Sequence, residues 1–501
     1  MARGRNLRIV PEFVGVVQAV SRFLQREGVE AYLTGGFVRD LLLSRSAGDL
    51  DISISGDPLE IGPRLAEELG GTYFPLDRKR RHARITLPGG STSIDLLPMR
   101  GSIDDDLRLR DFTVGALAAD LAALAAGSGA LIIDPTGGLG DLDKQIVRAV
   151  SEKALLDDPL RLLRGVRLAV QLGFDVEPKT TEMIREHAAS VRLAAPERQR
   201  DELVLILGAS QAAQALRLLE EVGLLAELMP ELDVMRGVEQ PKEHQWDVFG
   251  HSIEAVHALD WLIADSPPAS KRDAALWREL REQLSWWPEM ESRWHDELSP
   301  GIGRSTVLKL AALLHDIGKP ATKSVDPDGR IRFFGHSAAG SGIAGSVLKR
   351  LRLPTRVVDH VTAMIDAHLR PLLMAREGAP SRRALYRFFR DTGDAGVDTL
   401  FLSLADHLAT VGPRVTTDGW RRHVAVVGYI LASSLRQPEP SGLQALVNGD
   451  DLMAELAIGP GALVGELLEA IAEAQAAGEV GTREEAIELA HNFLARNEKT
   501  R

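Results

Sequence analysis

The segment GGFVRDLLLSRSAGDLDIS, residues 35–53, places two glycines ahead of two aspartates that are two residues apart. Alternate residues of a β-strand project from the same face, so Asp49 and Asp51 are predicted to point together, while Leu50 and Ile52 point into a core. Adjacent carboxylates repel each other unless a cation lies between them. Carboxylate oxygens suit Mg²⁺, which commonly takes phosphate oxygens as further ligands. The segment therefore predicts a magnesium site for phosphate chemistry.

Neighbouring residues strengthen this interpretation. Asp95, in SIDLLP, supplies a third acid on a segment that is predicted to be an adjacent strand. Three acids on one sheet are typical of a two-metal phosphoryl-transfer site. Gly35 and Gly36 let the backbone approach an anion closely, and Arg39 offers a charged contact suited to a triphosphate. Without these neighbours, a lone D-x-D pair is more simply a turn residue and a solvated charge.

The 501-residue chain is too long for one hydrophobic core, and its patterns separate four regions. Residues 1–150 mix short strand-like runs with helices, which predicts a small α/β head built on one sheet. Residues 151–243 form a helical neck and residues 244–430 a histidine-rich helical region. Residues 431–501, around and beyond RQPEPSG, form an acidic tail of three short helices that pack on the preceding ones. The predicted fold class is α+β, with the α/β head followed by an elongated all-helical body.

Composition narrows the classes of function. The chain is 45% apolar and 26% charged, as in ordinary globular proteins, and carries a net charge of −12. It has no cysteine, so a metal site must use histidine and carboxylate ligands. The first residues lack the apolar run of a signal peptide, and no stretch of 18 uninterrupted apolar residues occurs. We therefore expect a cytoplasmic enzyme without a membrane partner.

Several motifs carry a family resemblance in a fixed order. GGFVRD and GDLDIS, followed by RLRDFTVGALA, DPTGGLGDL, DDPLRLLRGVRLAVQLGF and PERQRDEL, resemble the motifs of class II tRNA nucleotidyltransferases and their poly(A) polymerase relatives. The resemblance spans roughly residues 28–230 and implies that Asp49 and Asp51 hold Mg²⁺, with Asp95 assisting. One departure is Gly115, where the family usually has asparagine, which removes an amide from the ribose region. The nucleotide-binding residues implied are Gly35, Gly36, Arg39, Asp40, Arg110, Asp111, Asp158, Arg161 and Arg164.

Asp158 and Arg161 are three residues apart and are predicted to lie on neighbouring faces of one helix. Cytosine and adenine each present an amino donor beside an acceptor ring nitrogen, which a carboxylate and a guanidinium match. Uracil and guanine reverse this pattern, at a cost of about 1–3 kcal/mol. The pair therefore predicts selection of CTP and ATP, with Arg164 steadying it. A surface ion pair is the plainer alternative, and the resemblance favours selection.

Ten of the thirteen histidines fall between His244 and His423. The motif LAALLHDIGKPATK ends an apolar helix with an HD pair and resembles the HD phosphohydrolase superfamily. The resemblance implies a site for Mn²⁺, Fe²⁺, Co²⁺, Ni²⁺ or Mg²⁺, acting on 2′,3′-cyclic or other phosphates of RNA ends. A helical scaffold that only braces tRNA is the alternative. The implied ligands are His251, His315, Asp316 and Asp406, with His336 and His368 as extra ligands or phosphate contacts.

The expected function is template-independent addition of C, and of A, to tRNA 3′ ends from CTP and ATP. Only 14 residues separate Asp95 from Arg110, where relatives that add the terminal A commonly hold a longer loop. This short connection favours CC addition, with a separate A-adding enzyme as partner in the same cell. Two alternatives are a poly(A) polymerase and an HD metal phosphohydrolase with a nucleotide-sensing head. The basic run DRKRRHAR, residues 77–84, is equally consistent with solvated charge and with phosphate contacts.

Overall fold

The computed structural model describes residues 5–46, 48–90, 92–284, 290–376, 378–436 and 445–498. The chain forms two compact units. One comprises Met1–Ala195 with Leu218–Glu227, and the other comprises Pro196–Arg217 with Leu228–Arg501. The finer division into four regions stays a prediction, and most of RQPEPSG (437–442) lies outside the described residues.

The first unit is built on one mixed sheet. Its strands are β1 (Asn6–Leu7), β2 (Ala31–Thr34), β3 (Leu50–Ile54), β4 (Thr72–Asp77), β5 (His82–Thr86), β6 (Ser93–Pro98), β7 (Ala118–Asp120) and β8 (Ala130–Ile133). They lie in the order β1-β8-β7-β2-β3-β6-β5-β4. β3 and β6 run parallel, and the other neighbours run antiparallel. The predicted α/β head is confirmed.

Helices cover this sheet and continue into the neck. They are α1 (Pro11–Arg26), α2 (Gly35–Leu42), α3 (Pro58–Leu69), α4 (Ile103–Arg108), α5 (Leu121–Ala125), α6 (Gly138–Lys144), α7 (Glu152–Asp157), α8 (Leu160–Leu172) and α9 (Pro178–His187). A short parallel pair, β9 (Ile146–Val147) and β10 (Asp175–Val176), lies among them. Leu50, Ile52 and Ile54 of β3 are completely buried, as predicted for the core-facing side of the strand. Ser53, on the opposite face, is buried as well.

The remaining elements are mostly helical. They are α10 (Pro196–Leu207), α11 (Ala212–Glu221), α12 (Leu224–Leu228), α13 (Val248–Leu262), α14 (Lys271–Gln283), β11 (Glu297–Ser299), β12 (Ile302–Gly303), α15 (Arg304–Leu314), α16 (Lys319–Thr322), β13 (Ser324–Val325), β14 (Ile331–Arg332), α17 (His336–Arg350), α18 (Thr355–Ala367), α19 (Arg370–Met374), α20 (Arg382–Thr392), α21 (Ala395–Val411), α22 (Thr417–Arg436), α23 (Gly449–Leu456), α24 (Ala462–Ala477) and α25 (Arg483–Glu498). Helices α13, α15, α18 and α21 pack against one another at the centre of the second unit. Among the described residues, no helix has both the length and the apolar character needed to cross a bilayer.

The tail forms the three helices predicted from its sequence, α23 to α25. They share a small apolar core that includes Leu467 and Ile471. Helix α24 packs against α20, where Arg383 Nε lies 3.1 Å from Glu473 Oε1. Packing of the tail on the preceding helices is therefore confirmed, and ion pairs reinforce it.

A buried histidine predicts acid sensitivity of this second unit. His423 donates from Nε2 to the carbonyl oxygen of Ser403 at 3.1 Å and stacks on the His407 ring at 4.4 Å between ring centres. Burial, followed by the neighbouring His407, lowers the pKa of His423 to about 4. The unfolded chain therefore takes up a proton from about pH 6.5 downward while the folded protein does not. The contribution of His423 to the free energy of unfolding is fully present above pH 6.5 and is lost progressively as the pH falls toward 4.

We expect His423→Gln, which keeps an N–H donor, to flatten this pH dependence. In the unaltered protein, His423 lowers the free energy of unfolding by about 2 kcal/mol between pH 7.5 and pH 5, and the variant should lack this decrease. Urea unfolding at the two pH values measures it, with His491→Gln as the control at an exposed histidine. An equal loss of stability in the His423 variant and in the unaltered protein would contradict this assignment.

Candidate active site and metal centre

Strand register brings the predicted acids together in the first unit. Asp51 on β3 is the direct partner of Asp95 on the parallel strand β6, and Arg84 on β5 faces Asp95 from the other side. Directly opposite residues project from the same face of a sheet. Asp49 differs from its prediction, because β3 begins only at Leu50. The Asp49 carboxylate nevertheless reaches the cluster through Arg84.

Arg84 lies where the sequence predicts a cation. Its Nε donates to Asp95 Oδ1 at 2.7 Å and its Nη2 to Asp95 Oδ2 at 2.8 Å. The same Nη2 lies 3.0 Å from Asp49 Oδ2. This guanidinium offsets the negative charge of the two carboxylates that it contacts. Sequence reasoning missed Arg84, although the alternation of HARIT places it on the face opposite the buried Ala83 and Ile85.

The electrostatics of Asp51 fit a metal ligand. Burial raises the pKa of this carboxyl group to about 6, and the Asp95 charge adds to the rise, while Arg110 opposes it. The backbone N–H of Gly36 also donates to the carboxylate and favours its charged form. A buried carboxylate beside a second one is stabilised by a divalent cation more than by water. The oxygen donors of Asp49, Asp51 and Asp95 therefore suit Mg²⁺.

The glycine pair adopts the conformation that close approach requires. Gly35 has φ +72°, and a Cβ there would lie 2.9 Å from both Asp51 Oδ2 and Arg110 Nη1. Only glycine fits this position without displacing the acid cluster. Gly35 and Gly36 open helix α2. The Gly35 N–H donates to the Leu117 carbonyl oxygen at 3.2 Å, and the Gly36 N–H donates to the Asp51 carboxylate. Arg39 lies along the same turn and donates to its neighbour Asp40 through two bonds of 2.9 Å.

Arg110 is fixed beneath the glycine turn. Its Nη2 donates to Thr34 Oγ1 at 2.9 Å and to Ser53 Oγ at 3.0 Å. Asp106 of α4 lies 3.5 Å from the same nitrogen. Thr34 and Ser53 are fully buried, so the guanidinium is held on one side by rigid strands. Its other terminal nitrogen, Nη1, stays close to Gly35, on the side where a triphosphate is predicted.

Asp111 and Arg164 form the next part of the site. Arg164 Nη1 donates to Asp111 Oδ2 at 3.0 Å. Burial acts to raise the pKa of Asp111, but Arg164 and Arg161 outweigh it and hold that pKa below its ordinary value. Asp111 is therefore an ionised acceptor. Gly115 leaves space beside it, since a Cβ there would lie 3.7 Å from Asp111 Oδ1.

The motif DPTGGLGDL supports this loop from behind. A side chain on Gly138 would collide with the carbonyl oxygen of Thr113. Asp134 accepts the Gly138 N–H at 2.8 Å, and Asp141 accepts the Thr113 hydroxyl at 2.7 Å. The motif thus fixes the backbone two residues after Asp111.

Asp158 is not in a helix, which corrects the prediction. It lies in the connection between α7 and α8 with extended backbone (φ −148°, ψ 98°). The following Pro159 disfavours helical backbone at position 158. Arg161 lies in the first turn of α8, and its N–H donates to the Asp158 carbonyl at 2.9 Å. The two residues remain neighbours through this turn, and Arg161 Nη1 donates to the Ala154 carbonyl at 2.7 Å. Arg80, from the basic run, reaches Asp158 Oδ2 at 3.0 Å.

The second unit collects the predicted HD residues in one buried cluster. His251 Nε2 lies 3.1 Å from His315 Nε2, 3.3 Å from Asp316 Oδ2 and 3.0 Å from Asp406 Oδ1. His336 Nε2 lies 3.4 Å from the other Asp316 oxygen, Oδ1. Two groups of ligand atoms result, and they share Asp316. They are His251, His315 and Asp316, and Asp316, His336 and His368.

The chemistry of this cluster fits divalent cations. Both oxygens of Asp316 are buried without a well-formed hydrogen bond among the described residues. Burial alone would lower the pKa of His315, but Asp316 and Asp406 outweigh it and raise that pKa. Burial lowers the pKa of His368 to about 4, so this ring is neutral, as a ligand must be. Sequence reasoning missed Lys319, whose Nζ lies 2.6 Å from Asp316 Oδ2.

Family comparisons cover both units. Residues 31–102 match the family described as the poly A polymerase head domain. Residues 173–235 match the one described as a probable RNA and SrmB-binding site of polymerase A, and residues 290–410 match the HD domain. The first match contains the acid cluster, and the third contains His315, Asp316 and Asp406.

Similar proteins extend over nearly the whole chain. A CC-adding tRNA nucleotidyltransferase of Thermus thermophilus is 36% identical over 91% of this chain and 92% of its own length. An A-adding tRNA nucleotidyltransferase of Deinococcus radiodurans is 36% identical over 91% of this chain and 94% of its own. The crystal structure of a Bacillus stearothermophilus CCA-adding enzyme in complex with CTP shares the fold, with a TM-score of 0.61 and 23% identity. It covers 98% of this chain and 100% of its own.

Proposed function

The chain belongs to the family of tRNA nucleotidyltransferases, and from this membership we propose that it adds two cytidines to tRNA 3′ ends from CTP. Its relatives include a CC-adding and an A-adding enzyme of equal identity, so identity alone does not choose between them. The observation that carries the proposal is the connection from β6 to Arg110. The proposed setting is the cytoplasm, with a separate A-adding enzyme completing the end with ATP.

This connection is short and fully folded. After Pro98 it enters α4 through a capping box formed by Ser102 and Asp105. Ile103 and Leu107 are buried against Ala116 and Ala118. The connection therefore lacks the longer loop that terminal-A-adding relatives commonly hold here. We infer that a site without this loop uses CTP and not ATP.

The proposed chemistry is attack of the tRNA 3′ hydroxyl on the α-phosphate of CTP, with pyrophosphate as leaving group. Mg²⁺ held by Asp49, Asp51 and Asp95 would supply a Lewis acid for the phosphate oxygens. The Gly35 and Gly36 turn, with Arg39, binds the triphosphate. Arg110 and Asp111 contact the phosphates and ribose of the nucleotide. Asp40 orients Arg39 and Arg164 orients Asp111 through their ion pairs. These interactions align the reacting atoms, and such positioning, with electrostatic stabilisation, accounts for most of the catalysis of phosphoryl transfer.

Base selection is proposed for Asp158 and Arg161. The Asp158 carboxylate accepts from the exocyclic amine, and the Arg161 guanidinium donates to the ring nitrogen beside it. Burial lowers the pKa of Arg161, while Asp111 and Asp158 oppose the change. A guanidinium remains a donor under all ordinary conditions.

Extension of tRNA lacking its 3′ end tests CC addition. We expect purified protein with Mg²⁺, CTP and ATP to yield tRNA ending in CC, because the folded connection does not adapt the site to ATP. Sequencing of the 3′ ends measures the product. As a control, tRNA already ending in CC is supplied with ATP and should gain no nucleotide. Products ending in CCA, or in a long A tract, would contradict the proposal and favour full CCA addition or a poly(A) polymerase.

A second activity is proposed for the HD cluster, carried by the two ligand groups that share Asp316. His251, His315, Asp316 and Asp406 would hold one divalent cation, and a second would lie between Asp316, His336 and His368. Mn²⁺, Fe²⁺, Co²⁺, Ni²⁺ and Mg²⁺ all suit this donor set. Such a centre supplies an activated water for hydrolysis of phosphates at RNA ends. Lys319 adds a positive charge for the substrate phosphate.

A further inference from the structure

We propose that Arg80 is a positioning residue for Asp158, and that their ion pair sets the preference for cytosine over uracil. The inference rests on the proposed function, because it assigns Asp158 to base selection. Arg80 lies in the turn between β4 and β5, 78 residues before Asp158 in the chain.

The contact is direct and partly shielded. Arg80 Nη2 donates to Asp158 Oδ2 at 3.0 Å; the Arg80 side chain is half exposed, whereas the Asp158 side chain is only 11% exposed. The Leu160 N–H approaches the other oxygen, Oδ1, at 3.4 Å. The carboxylate is thus approached at each oxygen, which fixes its plane as well as its position. A charge-assisted hydrogen bond to a nearly buried carboxylate is stronger than an exposed surface pair.

The turn that carries Arg80 is held at both ends. Asp77 Oδ1 accepts the backbone N–H groups of Lys79 and Arg80 at 2.8 and 2.9 Å. Arg81 adopts a left-handed backbone with φ +59°, and its guanidinium pairs with Asp57, the N-cap of α3. A surface run of solvated charge needs none of these restraints. They present Arg80 to Asp158 at low cost in conformational entropy.

The contact between Arg80 and Asp158 is compatible with base binding, so Arg80 holds the Asp158 carboxylate in place and does not block it. An ionised carboxylate offers about four acceptor positions, so Arg80 on one side of Oδ2 leaves room for the base amine. Arg161 donates to the Ala154 carbonyl, and Arg80 supplies the guanidinium on Asp158. An ionised carboxylate only accepts hydrogen bonds, so it does not match the carbonyl groups that uracil and guanine present at this edge.

The test compares CTP and UTP incorporation into tRNA by Arg80→Ala, Arg80→Lys and Arg78→Ala. Arg78 is an exposed arginine of the same turn and matches the change in charge. We expect Arg80→Ala to lower the CTP-to-UTP ratio of kcat/KM about tenfold, mainly through KM, with kcat for CTP within about threefold. Arg80→Lys should recover part of the ratio, and Arg78→Ala should leave it unchanged.

A double variant shows whether Arg80 acts through Asp158. In an Asp158→Asn background, adding Arg80→Ala should change the ratio less than about twofold. A full tenfold change there, an unaltered ratio in Arg80→Ala alone, or tighter CTP binding in that variant would each overturn the inference. Failure of the unaltered protein to extend tRNA would instead reject the proposed function, so the two failures are distinct.

Discussion

Asp51→Asn is expected to abolish nucleotide addition, lowering its rate by about 10³-fold or more, while raising the stability of the metal-free protein. The loss follows because an amide cannot replace a carboxylate that holds a divalent cation at the reacting phosphate. Several kcal/mol of transition-state stabilisation disappear with it. The gain has a separate cause. The pKa of Asp51 is raised to about 6, above its unfolded value, so at pH 7.5 its ionised form opposes folding.

Single-turnover incorporation of labelled CTP into tRNA measures the first effect, and thermal unfolding without divalent cations measures the second. Asp104→Asn is the control, because Asp104 is an exposed acid on α4 near the same sheet. It should change neither quantity appreciably. If Asp51→Asn incorporated CTP at a rate within tenfold of the unaltered protein, Asp51 would not be a metal ligand. The phosphoryl-transfer reaction proposed for the acid cluster would then be refuted as well.

Asp316→Asn is expected to strip the HD cluster of the divalent cations proposed for it and to remove the proposed phosphohydrolase activity, while tRNA extension stays within about twofold. Asp316 is shared by both ligand groups, so one substitution weakens both cation positions. The acid cluster lies in the other compact unit, and its ligands are unchanged. Metal content after dialysis and hydrolysis of a 2′,3′-cyclic phosphate are the two readouts. We expect less than about a tenth of the original metal to remain.

Two further variants make this experiment specific. Asp359→Asn changes an exposed aspartate of α18 and should retain all metal and activity. His336→Gln removes a ligand from one group only, so it should release one ion and keep the other. Full metal retention in Asp316→Asn would show that the cluster does not use this carboxylate. If Asp316→Asn lost its metal but still hydrolysed the 2′,3′-cyclic phosphate, the hydrolysis would occur at a site other than the HD cluster.

The sequence was sufficient for Asp51 and Asp95, but strand alternation failed for Asp49, which lies just before β3 and reaches the cluster through Arg84. Asp51 and Asp95 were predicted as neighbours, and the β3–β6 register confirms that they are adjacent. Arg80 and Arg84 belong to the basic run 77–84, which is predicted to be either solvated charge or a set of phosphate contacts. Their contacts with Asp158 and Asp95 were not predicted, since these depend on antiparallel register and on a hairpin that brings distant segments together. The position of Asp158 outside the helix was readable in principle, because it precedes a proline. The histidine pattern predicted residues that the structure brings into one cluster, and their role as metal ligands stays a prediction. The sequence could not show that Asp316 Oδ2 lies near His251 and His315 while Oδ1 lies near His336.

The folded connection that carries α4 limits how this enzyme's product could be redesigned. Its helix supplies both an apolar wedge, Ile103 and Leu107, and the Asp106 carboxylate beside Arg110. Extra residues inserted within the helix would displace Ile103 and Leu107 from the apolar cluster and move the Asp106 carboxylate away from Arg110. A variant designed to add the terminal A would therefore need residues 99–109 replaced as one segment. The replacement would have to keep a carboxylate beside Arg110.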